Sequence, residues 1–225
     1  MPTLDETVAR TEAVMTDLLA VVDPRRVRVA WTGGKDSTVV LFVWKALLDH
    51  HGLGPARAIN LDTGCKFPEV LAFRDRLAEE WGVDLFVARP AVRLQGYPLA
   101  VDPVACCRDL KVEPLKAAVR TTRTTHLLSG IRRDEHPDRA GRAVMEERRA
   151  PDYTLVNPIL DFTETDVWAF YARFGLPHCG LYDLGYRSLG CEPCTRKPAG
   201  NGPERAGRSG SKEAVMDTLT SLGYF

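Results

Sequence analysis

The sequence predicts an α/β protein, a doubly wound and mostly parallel sheet with helices on both faces. Three observations predict it. Short apolar runs of strand length alternate with segments whose apolar residues recur at helical spacing. Three of those runs lead straight into polar loops, TGGKDS, LDTG and SGIRRDE. Ligands of such sheets bind beyond the carboxyl ends of the strands, so the three loops are expected to face one crevice.

The elements follow in order. Residues 1–26 read as an N-terminal helix, acidic and amphipathic, with Val8, Val14, Leu18 and Leu19 on its apolar side. VRVAW (27–31) is the first strand. The helix after TGGKDS is STVVLFVWKALLDHHG, which stops near Gly52. ARAINLDTG supplies the second strand and its loop. From Pro68 to Gly82 the apolar residues Val70, Leu71, Phe73, Leu77 and Trp81 mark a helix. DLFVARP is a third strand, CCRDLKVEPLKAAVR opens a helix, and THLLSGIRRDE is a fourth strand running into a charged loop. Thr163 is an N-cap, because Thr-Glu-Thr-Asp precedes Val167, Trp168 and Phe170. Residues 27–196 form the main domain. The tail, 197–225, is Gly/Pro-rich and basic as far as Lys212, and is expected to be a flexible flap.

Thirty Lys and Arg balance thirty Asp and Glu across 225 residues, so net charge gives no argument for nucleic acid or an anionic surface. The N-terminus lacks the basic and apolar regions of a signal peptide, and no apolar run approaches the roughly 18–20 residues of a membrane span. The expectation is a cytoplasmic chain. In a reducing compartment six cysteines do not read as a disulfide framework. Their grouping points to metal or redox chemistry.

TGGKDS lies between a strand and a helix. That arrangement aims backbone N–H groups and a helix N-terminus at an anion. Gly33 and Gly34 allow close approach, Lys35 adds charge and Ser37 a hydroxyl; the spacing is not that of a Walker A loop. Here the sequence resembles the PP-loop, adenine nucleotide α-hydrolase-like superfamily, with Thr32 where serine is usual. The resemblance implies that Thr32, Gly33, Gly34, Lys35, Asp36 and Ser37 bind a nucleotide's phosphates. Asp62, Thr63 and Gly64 of the LDTG loop, with Gly130, would complete the nucleotide site. Arg132 and Arg133 offer planar donors suited to sulfate or phosphate.

Cys106 and Cys107 are adjacent, and CEPC supplies Cys191 and Cys194. Adjacent side chains diverge, so one metal ion would strain the backbone, whereas a cube of separated irons tolerates the geometry. Four thiolates are the usual ligands of a [4Fe–4S] cluster; zinc stays open as the second choice.

CCRDLKVEPL and GYRSLGCEPCTR, with ERAGR downstream, resemble the assimilatory adenylyl-sulfate reductases over roughly residues 25–208. The resemblance implies a cluster on Cys106, Cys107, Cys191 and Cys194. It also puts Lys111 in register with a lysine between cluster and substrate. Those reductases end in a mobile segment with a nucleophilic cysteine. This sequence has no cysteine after Cys194 and finishes in Gly-Tyr-Phe, which resembles the small subunit of ATP sulfurylase.

The leading expectation is therefore ATP-dependent sulfur transfer, with Lys35 and Ser37 on the pyrophosphate. One alternative is reduction of adenylyl sulfate or its 3′-phosphate to sulfite, with the thiol from Cys179 or a partner; Cys65 is the other cysteine outside the cluster set. A further alternative is a nucleotide-binding subunit with a structural cluster. The cofactors implied are a [4Fe–4S] cluster and, as bound nucleotide, ATP with Mg²⁺ or adenylyl sulfate. The partners implied are a cysteine desulfurase or thiol reductant as sulfur-handling partner and a protein docked on the C-terminal tail. No membrane is expected; nucleic acid and a homo-oligomer stay open.

Overall fold

A computed structural model describes residues 2–200 and 202–224. Six strands form one sheet in the order β3-β2-β1-β4-β6-β5. They are β1 (Val27–Ala30), β2 (Arg57–Leu61), β3 (Asp84–Ala88), β4 (His126–Leu128), β5 (Met145–Arg148) and β6 (Tyr153–Val156). All pairs are parallel except β5 with β6. The expected doubly wound architecture is present, and the strand order reverses between β1 and β4.

Alternation along the strands divides the core. Val27, Val29, Ala58, Leu128 and Val156 face one layer, while Ala30, Ile59, Leu127 and Leu155 face the other. The first layer is built from α1 (Leu4–Val21), α2 (Lys35–His50), α3 (Pro68–Glu80) and α6 (Glu164–Phe174). A capping box of Thr3 and Glu6 starts α1, and Thr163 with Asp166 starts α6 as its sequence suggests. The second layer is α5 (Glu113–Thr121), through Leu115, Ala118 and Val119. Between α4 (Pro103–Cys107) and α5 the helix widens into a π-turn over Arg108–Val112. Such widenings recur at functional sites, and this one carries Lys111.

Two findings go beyond the sequence reading. The strand β5, Met-Glu-Glu-Arg, has no apolar alternation because it is an antiparallel edge, where charge discourages further pairing. The segment read as a flexible flap instead carries a short 3₁₀ turn (Glu204–Gly207), α7 (Gly210–Glu213) and α8 (Met216–Ser221). Thr195 bridges Arg208, and Gly207 runs so close to the Arg196 carbonyl that a side chain there would overlap it. Met216 and Leu219 pack on Cys107. Gly and Pro suggested flexibility locally, but the partners of Glu204 and Arg205 lie 70 or more positions away for three of their bonds. No helix among the described residues is long and apolar enough to cross a membrane.

Candidate active site

The loops after β1 and β4 meet where the strand order reverses. Thr32 accepts from the Gly34 N–H through its hydroxyl at 3.2 Å, and its own N–H donates to Ser37 Oγ at 3.2 Å. Gly33 holds a left-handed φ of 80°. Gly130 lies against this turn, for a Cβ there would sit 2.7 Å from the Ser37 nitrogen. Glycine is thus required for the two loops to touch.

Lys35 does not face the crevice. It is 1% exposed, and its ammonium donates to Asp36, to the Arg187 carbonyl and to Glu204. Burial opposes its charge, but Asp36, Tyr182 and Glu204 hold its pKa above the ordinary range. Its N–H donates to the Tyr182 hydroxyl at 2.9 Å. Arg132, fully buried, donates to Asp36 (2.7 Å), Asp134 (2.6 Å) and Glu204. Arg139 and Arg205 share Glu135, and Arg205 also pairs with Glu213. Burial penalises the Glu135 carboxylate, yet the two arginines lower it to about 2. Lys35 and Arg132, expected as anion donors, are both engaged in buried ion pairs. Arg133 points away, to Asp161 and the Arg142 carbonyl.

A crevice in two connected halves lies over these loops. One half, about 130 Å³, is lined by Thr32, Gly34, Asp36, Ser37 and Gly130 together with Arg139, Arg205 and Arg208. The other, about 100 Å³, has an apolar wall of Ala30, Ile59, Leu61 and Leu115, plus Thr63, Lys66, Lys111 and Arg208. Arg208 and Tyr224 line both. Of Asp62, Thr63 and Gly64, only Thr63 lines the crevice. Asp62 accepts from the Gly64 N–H and pairs with Arg89, and Gly64 makes the turn at φ 68°.

The cations of the second half differ from those beside Lys35. Among the described residues Lys66, Lys111 and Arg208 have no carboxylate partner. Arg208 is 8% exposed, and its Nε and Nη1 are buried without any hydrogen-bond partner. Lys212 donates to the Tyr224 hydroxyl at 2.7 Å, and the Lys111 ammonium lies 5.4 Å from the Tyr224 ring centre. Burial works against ionisation of that phenol, but Lys111, Lys212 and Arg208 bring its pKa down to about 7. Burial, then Lys111, pushes Lys66 down to about 8.

Beyond Lys111 lies a third cavity. Cys106, Cys107, Cys191 and Cys194 all line it, with Cys65, Leu99, Ala100, Leu110, Lys111 and Pro193. The structure therefore brings the four cysteines of the two doublets together. It adds a fifth from the loop after β2, held by a Lys66–Cys191 bridge and by Glu192 N–H donating to the Cys65 carbonyl at 2.8 Å. Among the described residues no three His, Cys, Asp or Glu converge as for a single bound ion. The cage gathers thiols around a void, a donor set that zinc and iron–sulfur clusters both use. Cys179 lies elsewhere. It is 1% exposed in the apolar layer, burial raises its thiol pKa, and His178 turns to Asp183 at 2.8 Å.

Lys66, Glu204, Arg208, Lys212 and Tyr224 were not singled out from the sequence. ERAGR held Glu204 and Arg208 as part of a motif without assigned roles.

Comparison with known proteins agrees with this architecture. The phosphoadenosine phosphosulfate reductase domain model matches residues 26–197. An adenosine 5′-phosphosulfate reductase of Pseudomonas aeruginosa is 33% identical over 203 residues, covering 83% of this chain and 73% of that one. One from Deinococcus radiodurans is 37% identical over 160 residues, covering 68% and 62%. In fold, the chain is similar to a phosphoadenylyl-sulfate reductase from Candida auris in a phosphate complex (TM-score 0.68, 19% identity, 81% and 88% covered). It is also similar to the FMN adenylyltransferase of Candida glabrata with FAD and pyrophosphate (TM-score 0.73, 16% identity, 98% and 82% covered). The chain belongs to the phosphoadenosine phosphosulfate reductase domain family.

Proposed function

We propose that the chain reduces adenylyl sulfate, or its 3′-phosphorylated form, to sulfite and the corresponding adenosine phosphate, using a thiol reductant. The observation that carries this reading is the trio Lys66, Lys111 and Arg208. Three cations without a carboxylate partner, one of them a buried guanidinium with two unpaired nitrogens, require an anion that the described residues do not supply. Their place fits a sulfated nucleotide, since Arg208 lines both halves of the crevice and Lys111 lines both crevice and cysteine cage.

ATP-dependent sulfur transfer, the leading expectation from the sequence, fits less well than the reductase alternative. It depended on Lys35 as a pyrophosphate contact, and Lys35 is committed to Asp36 and Glu204. The relatives that match are named reductases.

In this reading Ser37, Thr32 and the Gly33–Gly34 turn receive the 5′-phosphate. The apolar wall of Ile59, Leu61 and Leu115 offers a surface for a flat base. Arg208 and Lys111 hold the sulfate oxygens and offset their negative charge as a nucleophile approaches the sulfur. Cys106, Cys107, Cys191 and Cys194 would hold a [4Fe–4S] cluster, which when bound supplies a redox-capable centre beside the sulfate end. A nucleotide would span both halves of the crevice, which meet at Arg208 and Tyr224.

The test is an anaerobic assay of iron-reconstituted protein with a dithiol and, separately, adenylyl sulfate, its 3′-phosphate and ATP. Sulfite with the adenosine phosphate from one of the sulfated nucleotides is expected, with no pyrophosphate from ATP. Pyrophosphate from ATP without sulfite from either sulfated nucleotide would return the chain to sulfur transfer.

A further inference from the structure

Of the cations beside the cysteine cage, one is not open to the crevice. Lys66, Lys111 and Arg208 line its second half, whereas Lys212 lines neither half. Lys212 comes from α7, is 1% exposed, and has no carboxylate partner among the described residues. An ammonium carries three donors. Among the described residues its hydrogen bond is to the Tyr224 hydroxyl at 2.7 Å, and it lies 4.5 Å from the centre of that ring. Tyr224 itself lines both halves. The phenol therefore stands between a buried ammonium and the space that a ligand would enter.

The segment is built so that this cover can move. Met216 and Leu219 seat α8 against Cys107, but Tyr224 follows Gly223, which holds a left-handed φ of 100°. A Cβ on Gly223 would meet no atom closer than 3.9 Å, so the turn is not packed in. Glycine lets such a backbone rotate at little steric cost, and the Tyr224 side chain can swing while α8 stays seated. The contact that holds it is also weaker than the one that would replace it. A phenol offers the ammonium one neutral oxygen, whereas a sulfate offers charged ones, and opposite charges in contact attract strongly where water is excluded.

We propose that Lys212 is a further binding residue for the sulfate end of the nucleotide, covered by Tyr224 until a ligand oxygen takes the place of the phenol; the inference rests on the reductase reading. Lys111 and Arg208 meet the sulfate first, because both already line the crevice. As the Tyr224 hydroxyl leaves Lys212, the ammonium turns its donors to a sulfate oxygen. One hydrogen bond is exchanged for another, and no bond of the ligand is broken. AMP, which lacks the sulfate, leaves the bond between Lys212 and Tyr224 in place.

The test is titration calorimetry of iron-reconstituted protein, without reductant, using adenylyl sulfate and AMP. Tyr224→Phe keeps the ring and removes the hydroxyl that competes for Lys212. Adenylyl sulfate should then bind about tenfold more tightly, the effect of one hydrogen bond to a charged group, while AMP affinity moves by less than about twofold. Lys212→Met should weaken adenylyl sulfate by about tenfold and abolish the gain from Tyr224→Phe in the double variant. A tyrosine that touches the ligand, or one that only props the fold, gives a loss or no change in Tyr224→Phe. Either result overturns the inference, even if Lys212→Met fails to fold. So does a gain that persists in the double variant, or one that is equal for AMP and adenylyl sulfate. In each of these cases the reductase reading stands. Wild-type protein that binds adenylyl sulfate no more tightly than AMP overturns both.

Discussion

The two ends of the crevice hold similar numbers of buried or half-buried cations and treat them in opposite ways. Beside the phosphate loop, Lys35, Arg132, Arg139 and Arg205 are matched by Asp36, Asp134, Glu135, Glu204 and Glu213. Beside the cysteine cage, Lys66, Lys111, Arg208 and Lys212 meet thiols, a phenol and no described carboxylate. Burying a charge is costly unless it is paired. At the first end the chain itself supplies the counter-charges, so that end is architecture: it fastens the C-terminal segment through Glu204 and Arg205 onto the loops after β1 and β4. At the second end the described residues supply no carboxylate, which is why that end carries the proposed ligand contact. A cation in a nucleotide crevice is therefore not evidence of ligand contact until its partners are counted.

The largest expected effect breaks the first end. Glu204→Ala leaves Lys35 and Arg132 without a shared buried carboxylate, and removing one member of a buried pair costs roughly 3–5 kcal/mol. Urea unfolding should show that loss, and the tail should become sensitive to proteolysis. A loss under about 1 kcal/mol would mean that the network is solvated and that the two ends do not differ.

A smaller effect is expected at the second end, on binding instead of folding. Arg208→Ala removes a guanidinium whose Nε and Nη1 have no described partner, so stability should change by less than about 1 kcal/mol. Adenylyl sulfate affinity should fall by about 10- to 100-fold, the range for a hydrogen bond to a charged group, with AMP affected less. Calorimetry with both ligands reads the difference. Equal losses for the two ligands would place Arg208 on the phosphate and not on the sulfate.

Much of this was legible in the sequence. Short apolar runs and helical spacing revealed the strands β1 to β4 and the main helices, and Thr163 announced α6 through its capping pattern. The two cysteine doublets converge on one cavity, as their thiol chemistry suggested. What stayed hidden depends on long-range pairing. Lys35 follows two glycines and reads as a phosphate ligand, but its ammonium is claimed by Glu204, 169 positions away. Arg132 and Arg133 look equivalent, yet one side chain is fully buried and the other turns outward to Asp161. Cys179, beside His178, reads as the better thiol in the sequence, but the fold puts it in the apolar layer and puts Cys65 on the cage wall. Local pattern reports which residue types are present. Which carboxylate reaches which cation is decided by topology.

The finest probe of the comparison is Gly190. It lines the second half of the crevice, and a side chain there would overlap the Arg208 guanidinium, with the Cβ 2.6 Å from Cζ. The obstacle is the far end of a flexible side chain and not backbone, so Gly190→Ala should displace the guanidinium without unfolding its surroundings. Stability should stay within about 0.5 kcal/mol of wild type, as for substitutions that disturb no core packing. Adenylyl sulfate affinity should fall by only about three- to tenfold, because a displaced Arg208 retains its charge near the sulfate. The decisive measurement is the double variant. If Gly190 acts only by seating Arg208, then Gly190→Ala should add nothing to Arg208→Ala, a coupling that a double-mutant cycle reads directly. Full additivity would show that Gly190 touches the ligand by itself, and the uncompensated end would then be recognised through its backbone as well as its charge.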